Sequence, residues 1–308
     1  MSVHSAICPV CEATDLKLYI EAPEAPLDAS VFGSSRVSVS PGTILRCRNC
    51  GCGFRKNPLT QAELAQVYRE MDPKTYEAES AGRARTALTH LALLHRFAES
   101  GRLLDVGCAS GLFLDHAASS GWEVVGVEPS EQLFRQACAR LASKGLVLKS
   151  VIEEADLPLA GFHAITLWDV LEHVADPVGI LRRCHSLLKP GGILILNVPD
   201  LQSLQALLLG RHWPLFLPEH LTYFTRPALR ICGEKVGLRW VAFGRRSANF
   251  SLQYVTYRLS QHAIPGARLA HRIFQHRAGS ITIPVALGET YGVWKKPPDS
   301  RPNQPGLF

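Results

Sequence analysis

The sequence holds no apolar run of the roughly 18 to 20 residues that a membrane-spanning helix requires. Its start, Met1 to Val10, lacks the basic stretch followed by an apolar one that marks a secretory leader. These two absences predict a soluble, cytoplasmic protein. No internal repeat appears. Acidic residues thin out toward the C-terminal end: from Trp240 to Phe308, nine Arg and Lys face two acids, so the formal charge of +6 leaves about −1 for the rest. The body of the chain therefore lacks the basic face of a nucleic-acid enzyme, and no nucleic-acid partner is expected. What is present, 308 residues at 46% hydrophobic content, suits an α/β domain of ordinary size with a smaller appendage.

Nine cysteines make a poor disulfide framework. Four of them form two pairs, Cys8-Pro9-Val10-Cys11 and Cys47-Arg48-Asn49-Cys50, each with a two-residue gap. Four thiolates satisfy tetrahedral zinc, so Cys8, Cys11, Cys47 and Cys50 are expected to hold a structural ion, with Cys52 as a nearby competitor for the place of Cys50. Cys108, Cys138, Cys184 and Cys232 read as buried small hydrophobes.

The pattern divides the chain into a zinc-ribbon-like module (1–58), a helical linker or lid (59–100), a core (101–248), a helical insertion (249–284), a last core strand (285–296) and a flexible tail (297–308). Leu64, Val67 and Tyr68, then Leu88, Leu91, Leu94 and His95, recur at helical spacing in the linker, where Tyr76 is a candidate to fold over a ligand. Within the core, apolar strands (103–106, 123–127, 146–151, 164–168, 192–198) alternate with helices, the mark of a doubly wound, mostly parallel sheet. A sixth strand over 238–243 and a last one over 290–296 running antiparallel beside it would bring the sheet to seven.

In such a sheet a ligand sits where the first strand turns into the first helix. There the sequence reads Asp105-Val106-Gly107-Cys108-Ala109-Ser110-Gly111, and Glu128 ends the next strand, where a carboxylate can accept from both hydroxyls of a ribose. The dinucleotide pattern G-x-G-x-x-G fails in this loop. The strand, glycine turn, helix, strand and terminal acid, in this order, predict an adenosine ligand.

These residues resemble the class I S-adenosylmethionine-dependent methyltransferases, as do Leu167-Trp168-Asp169-Val170-Leu171-Glu172-His173 and Leu188-Lys189-Pro190-Gly191-Gly192. The resemblance implies a Rossmann-like fold and S-adenosylmethionine held by Asp105, Gly107, Cys108, Ala109, Gly111, Glu128, Ile152 and Asp169. Ala109 stands where most members have a glycine, and Val151 near where many have an acid. The run Glu219-His220-Leu221-Thr222-Tyr223-Phe224 resembles a signature of methyltransferases acting on sugars and other small polar molecules, including deoxysugar enzymes with an N-terminal zinc module. It implies His220 as a base, with Glu219, Tyr223 and His173 as acceptor contacts or partners and Trp213 as an apolar wall. The expected acceptor is a sugar or saccharide intermediate, methylated on oxygen.

Three rivals stay open. A quinone-biosynthesis O-methyltransferase shares the Leu-Glu-His segment, and in it Glu172 and His173 would help hold a divalent metal. A zinc-ribbon RNA-binding scaffold is disfavoured by the lack of stacking aromatics in the module. A non-catalytic cofactor sensor is the third. In the insertion, Leu269 and Ile273 share a helical face while Arg268, Arg272 and Gln275 turn away, so the segment either packs on its own domain or meets a membrane surface.

Overall fold

The computed structural model describes residues 6–23, 40–58, 60, 63, 80–260, 267–274 and 281–298. The expected linker helix after Thr60, and Tyr76 with it, lie outside these residues, as does the tail beyond 298.

The seven-stranded sheet is built from β4 (Gly101–Val106), β5 (Trp122–Val127), β6 (Gly145–Leu148), β7 (Phe162–Trp168), β8 (Leu188–Pro199), β10 (Arg239–Ser251) and β11 (Thr282–Lys295). Its order is β10-β11-β8-β7-β4-β5-β6. Pairing is parallel from β8 through β6, and β11 runs antiparallel to both β8 and β10. The order reverses between β4 and β7, which opens a crevice at their carboxyl ends.

Alternation along each strand decides which layer it serves. Leu103, Val124, Ala164, Ile193 and Ile195 enter one core with Leu94, Leu114 and Ala137, while Leu104, Val125, Ile165, Leu194 and Leu196 enter the other with Leu181, Leu187 and Leu229. The helices on the first side are α1 (Ser80–His95), α2 (Leu112–Ser119) and α3 (Glu131–Leu141); those on the second are α4 (Pro177–Leu187) and α6 (Arg226–Lys235). Side-chain oxygens of Ser130, Asp176 and Thr225 accept from the first turns of α3, α4 and α6, so polar residues at the strand exits set where these helices begin. A short helix, α5 (Leu204–Leu209), follows β8.

The N-terminal segment forms β1 (Leu16–Ile20), β2 (Ile44–Cys47) and β3 (Gly53–Arg55), joined by β9 (Thr222–Tyr223) in a four-stranded antiparallel sheet. It is no free-standing ribbon. Cys8, Val10, Leu45 and Phe54 share one core with Phe224, Ala228 and Cys232, so apolar burial against the main domain supports the module alongside any ion.

The segment 249–284 holds two short helices, α7 (Leu252–Ser260) and α8 (Ala267–Phe274), as a helical insertion should, but its two ends are strand: the β10–β11 ladder runs on to Ser251 opposite Thr282, because Phe250, Thr282 and Ile283 favour a pleated strand. Leu269 and Ile273 of α8, for which packing on the domain and contact with a membrane were both open, are exposed. Cys138 lies exposed on α3, whereas Cys108, Cys184 and Cys232 are buried as expected.

Candidate active site

A cavity of about 360 Å³ opens at the carboxyl ends of β4, β5, β6 and β7, within the size range of small-molecule sites. The loop after β4 forms its floor. Gly107 N and Cys108 N both donate to Val127 O, at 2.8 and 3.1 Å, which folds the loop back on the end of β5. Gly107 takes φ 69°, and a Cβ there would come within 2.8 Å of Val170 Cγ2 in the opposite wall. Ala109, in the place of the expected glycine, also takes a left-handed φ of 49°, so alanine is held in a conformation that glycine adopts without strain. Gly111 stands behind the loop at the start of α2, its Cα side against Ala137.

Glu128 bridges the two strand ends. Its Oε2 accepts from Ala109 N at 2.9 Å and its Oε1 from Ser130 N at 2.8 Å. Burial pushes its carboxyl up to about 7 against these two amides. Asp105 is buried deeper; burial pushes it up to about 8, opposed by the Thr166 hydroxyl that donates to Oδ1 at 2.7 Å. Ile152, Val151 and Leu133 line an apolar slot beside Glu128.

Two contributions were not expected from the sequence. α1 supplies Arg83, Thr86, Ala87 and His90 to the cavity. Their i, i+3, i+4, i+7 spacing is that of a single helical face. His90 is stacked on Trp168 at 3.8 Å between ring centres, and burial holds its pKa well below the ordinary value. Finally, Asp169, at φ 55° on the cavity wall, accepts from Asn197 Nδ2 and, at 3.4 Å, from Arg246 Nη1, which also reaches Glu289 at 3.1 Å. Arg246 comes from β10 and Glu289 from β11, strands distant in sequence.

The expected catalytic residues separate into two layers. His173 lines the cavity; its Nδ1 bonds Glu219 O at 3.0 Å. Burial holds it down at about 4. His220 is packed behind it, ring centres 4.7 Å apart, with Nδ1 bonded to Leu215 O at 2.9 Å, and burial keeps it neutral as well. Carbonyl oxygens only accept, so both Nδ1 atoms carry the proton and both basic lone pairs sit on Nε2. Glu219, Tyr223 and Trp213 do not line the cavity. Tyr223 is fully buried among Phe216 and Trp213 and donates its hydroxyl to Leu217 O at 3.0 Å, and Trp213 donates to Leu287 O. Both belong to the support beneath the acceptor segment.

The four paired cysteines converge, their sulfurs all within 4.8 Å of one another. Cys8–Cys50 and Cys11–Cys47 sulfurs lie 3.6 and 3.5 Å apart, too long for disulfides and close to the roughly 3.8 Å edge of a tetrahedron with zinc–sulfur bonds of about 2.3 Å. Cys52 is buried beside the group and points its thiol to Gly53 O, outside the four.

Residues 77–242 match the family described as a methyltransferase domain. The chain belongs to that family, and its seven-stranded sheet with an antiparallel penultimate position is the class I, S-adenosylmethionine-dependent form of it. Among curated relatives, the ubiquinone biosynthesis O-methyltransferase of Bradyrhizobium diazoefficiens is 30% identical over 151 residues, 48% of this chain and 51% of that protein. The protein of the same name from Xanthomonas axonopodis pv. citri is 38% identical over 100 residues, 31% and 42% of the two chains. The chain thus spans about half the length of the curated relatives it matches. A Haloferax volcanii methyltransferase solved with its activator covers 70% of this chain and 94% of its own at a TM-score of 0.51, and at 16% identity it shares the fold.

Proposed function

We propose that this protein transfers a methyl group from S-adenosylmethionine to a hydroxyl of a small polar acceptor, a sugar or saccharide intermediate. The observation that carries the reading is the histidine pair: a neutral His173 on the cavity wall, fixed by the Glu219 carbonyl and backed by His220 from the Glu-His-x-x-Tyr-Phe run.

The residues fit the cofactor. The left-handed loop at Gly107 and Ala109 leaves backbone at the cavity floor, Glu128 offers its carboxylate oxygens to ribose hydroxyls, the Ile152 slot suits an adenine ring, and Arg83 brings a cation to the rim. When bound, S-adenosylmethionine supplies a methyl group on a sulfonium, an electrophile that needs no metal. The chain's own residues then have two tasks. His173 Nε2 takes the acceptor hydroxyl proton, with His220 as its partner, and the apolar walls at Trp168 and Val170 exclude water around an in-line approach. In the N-terminal module, Cys8, Cys11, Cys47 and Cys50 hold zinc as a closed, structural site.

The test is transfer of labelled methyl to a panel of nucleotide-linked sugars and dihydroxylated aromatic rings. Labelling of the sugars that is lost in His173→Ala, with cofactor affinity kept, supports the reading; labelling of the aromatic acceptors alone overturns it.

One observation favours a second reading, a quinone-type O-methyltransferase. Glu172, His173 and His220 bring three donor atoms within 4.8 Å, and Glu172 Oε2 is buried with no hydrogen-bond partner among the described residues. In that reading a divalent cation held there would orient the acceptor oxygen; the acceptor class, though not the cation, is the one that the names of the curated relatives carry.

A further inference from the structure

Helix α5 leaves the end of β8 with most of its apolar surface in solvent. Leu204, Leu207, Leu208 and Leu209 are 58, 62, 75 and 46% exposed, and Arg211 and His212 follow, also exposed. One buried residue, Ala206, and the indole of Trp213 on Leu287 O tie the helix down, so the leucines are the free side of an anchored element. Contiguous exposed leucines of this kind mark an interaction surface.

A second element repeats the chemistry. In α8 the exposed residues are Arg268, Leu269, Arg272 and Ile273, while His271 faces the ring of Tyr257 in α7. At about 100° per residue those four occupy one continuous arc, with the two arginines on one half and the two apolar side chains on the other. A helix that lies in the plane of a lipid interface has this arrangement. Both elements belong to the same edge of the sheet. β8 enters α5 past its carboxyl end, and β11 pairs with β8 only from Glu289 onward, so its earlier residues and the α7–α8 pair extend beyond the edge where the cavity opens.

Charge selects the occupant. No Asp or Glu occurs in 201–218 or in 240–288; in the second stretch Arg246 is buried against Asp169 and Glu289, while Arg268 and Arg272 stand exposed. An acid-free, arginine-bearing and leucine-tipped edge complements an anionic headgroup layer over an acyl interior.

We propose that this edge docks on an anionic lipid surface, with the leucines of α5 and the Leu269–Ile273 pair inserted among the headgroups and Arg211, Arg268 and Arg272 against the phosphates. The inference stands apart from the identity of the acceptor. Docking there sets the cavity mouth at the membrane, within reach of a lipid-borne molecule.

Co-flotation of the whole protein with vesicles of phosphatidylcholine alone, and of phosphatidylcholine with 30% phosphatidylglycerol, tests it. The expected result is binding to the anionic vesicles, weakened by salt and roughly fivefold weaker for each arginine lost in Arg268→Glu/Arg272→Glu. Leu207→Glu/Leu208→Glu should abolish binding with an unchanged melting temperature. Leu159→Glu, equally exposed but on the loop before β7, serves as the control and should bind as the native protein does. Equal binding to neutral and anionic vesicles, no binding to either, or binding untouched by the leucine pair would each overturn the proposal. So would a dimer in solution that Leu207→Glu/Leu208→Glu dissolves while vesicles stay bare.

Discussion

Arg55, buried at the end of β3, donates Nη1 to the carbonyl oxygen of Pro218 at 2.6 Å. Around that bond Arg55 N reaches Leu221 O, Gly53 pairs with Tyr223, and the Thr225 hydroxyl donates to Cys50 O at 2.8 Å. The cysteine module and the segment carrying Glu219 and His220 are thus one piece of sheet. The carboxyl of Glu219, pushed up by burial to about 7, is opposed by the Arg55 charge.

Loss of the zinc proposed for the module should therefore be felt at the acceptor side. With zinc removed by a chelator, amide exchange in 215–225 should rise while the β4 loop keeps its protection and cofactor affinity changes less than about threefold. Arg55→Ala should lower stability by about 2–3 kcal/mol, because it leaves the Pro218 carbonyl without its charged donor. Metal analysis together with exchange mass spectrometry and thermal melting checks both; unchanged exchange in 215–225 would contradict them.

Glu128 and Asp105 couple the cofactor to protons. Their folded pKa values, about 7 and about 8, stand above the unfolded ones, so above pH 4 the folded state binds more protons and loses that stability as pH rises. The buried histidines contribute the opposite slope, but only below about pH 6.5. Between pH 6.5 and 8 the cofactor-free protein should melt at progressively lower temperature, and Glu128→Gln should flatten the trend. Ribose hydroxyls donated to Glu128 favour its ionised form, so binding at pH 7 should release protons, measurable by calorimetry in buffers of different ionisation heat.

Cofactor affinity itself should fall about 30- to 160-fold in Glu128→Ala, the loss of two hydrogen bonds at about 1–1.5 kcal/mol each. Equal affinity in the two proteins would remove Glu128 from the ribose site.

The pH profile of turnover distinguishes a buried histidine from an ordinary one. With His173 held down at about 4, acceptor methylation should stay level from pH 8 to about 5 and drop only below that. His220→Ala should cost on the order of a hundredfold in turnover with cofactor affinity retained. A loss centred on pH 6.5 would show that the base is solvated and is not His173.

Arg246 faces Asp169 and Glu289, and Glu172 lies close enough to feel all three. Arg246→Met should destabilise by about 3–5 kcal/mol, since it strands the buried carboxylate of Glu289. Manganese added to the native protein should raise its melting temperature only if the metal-holding reading is right, and Glu172→Gln should erase that rise.

How much of this was legible in advance follows from what each feature depends on. The β4 loop, Glu128 and the cysteine pairs were readable because each lies within a few residues of a turn whose geometry its own sequence dictates. The α1 face at Arg83 and His90 was readable in principle from its spacing. The extra length of β10 and β11 was not, since a ladder continues only where a partner strand lies opposite, as Ser251 does to Thr282.

The chain's local chemistry alone determined the alternating apolar strands, the glycine turn, the carboxylate at the second strand end and the thiol set, because these rest on nearest-neighbour geometry and side-chain type. Only the tertiary structure decided that Arg246 and Glu289 meet Asp169, that His173 faces the cavity with His220 behind it, and that Tyr223 is a pillar of the cysteine module's sheet. Those relationships join residues some 40 to 170 positions apart, and no local propensity encodes which long-range pairs the closing sheet brings together.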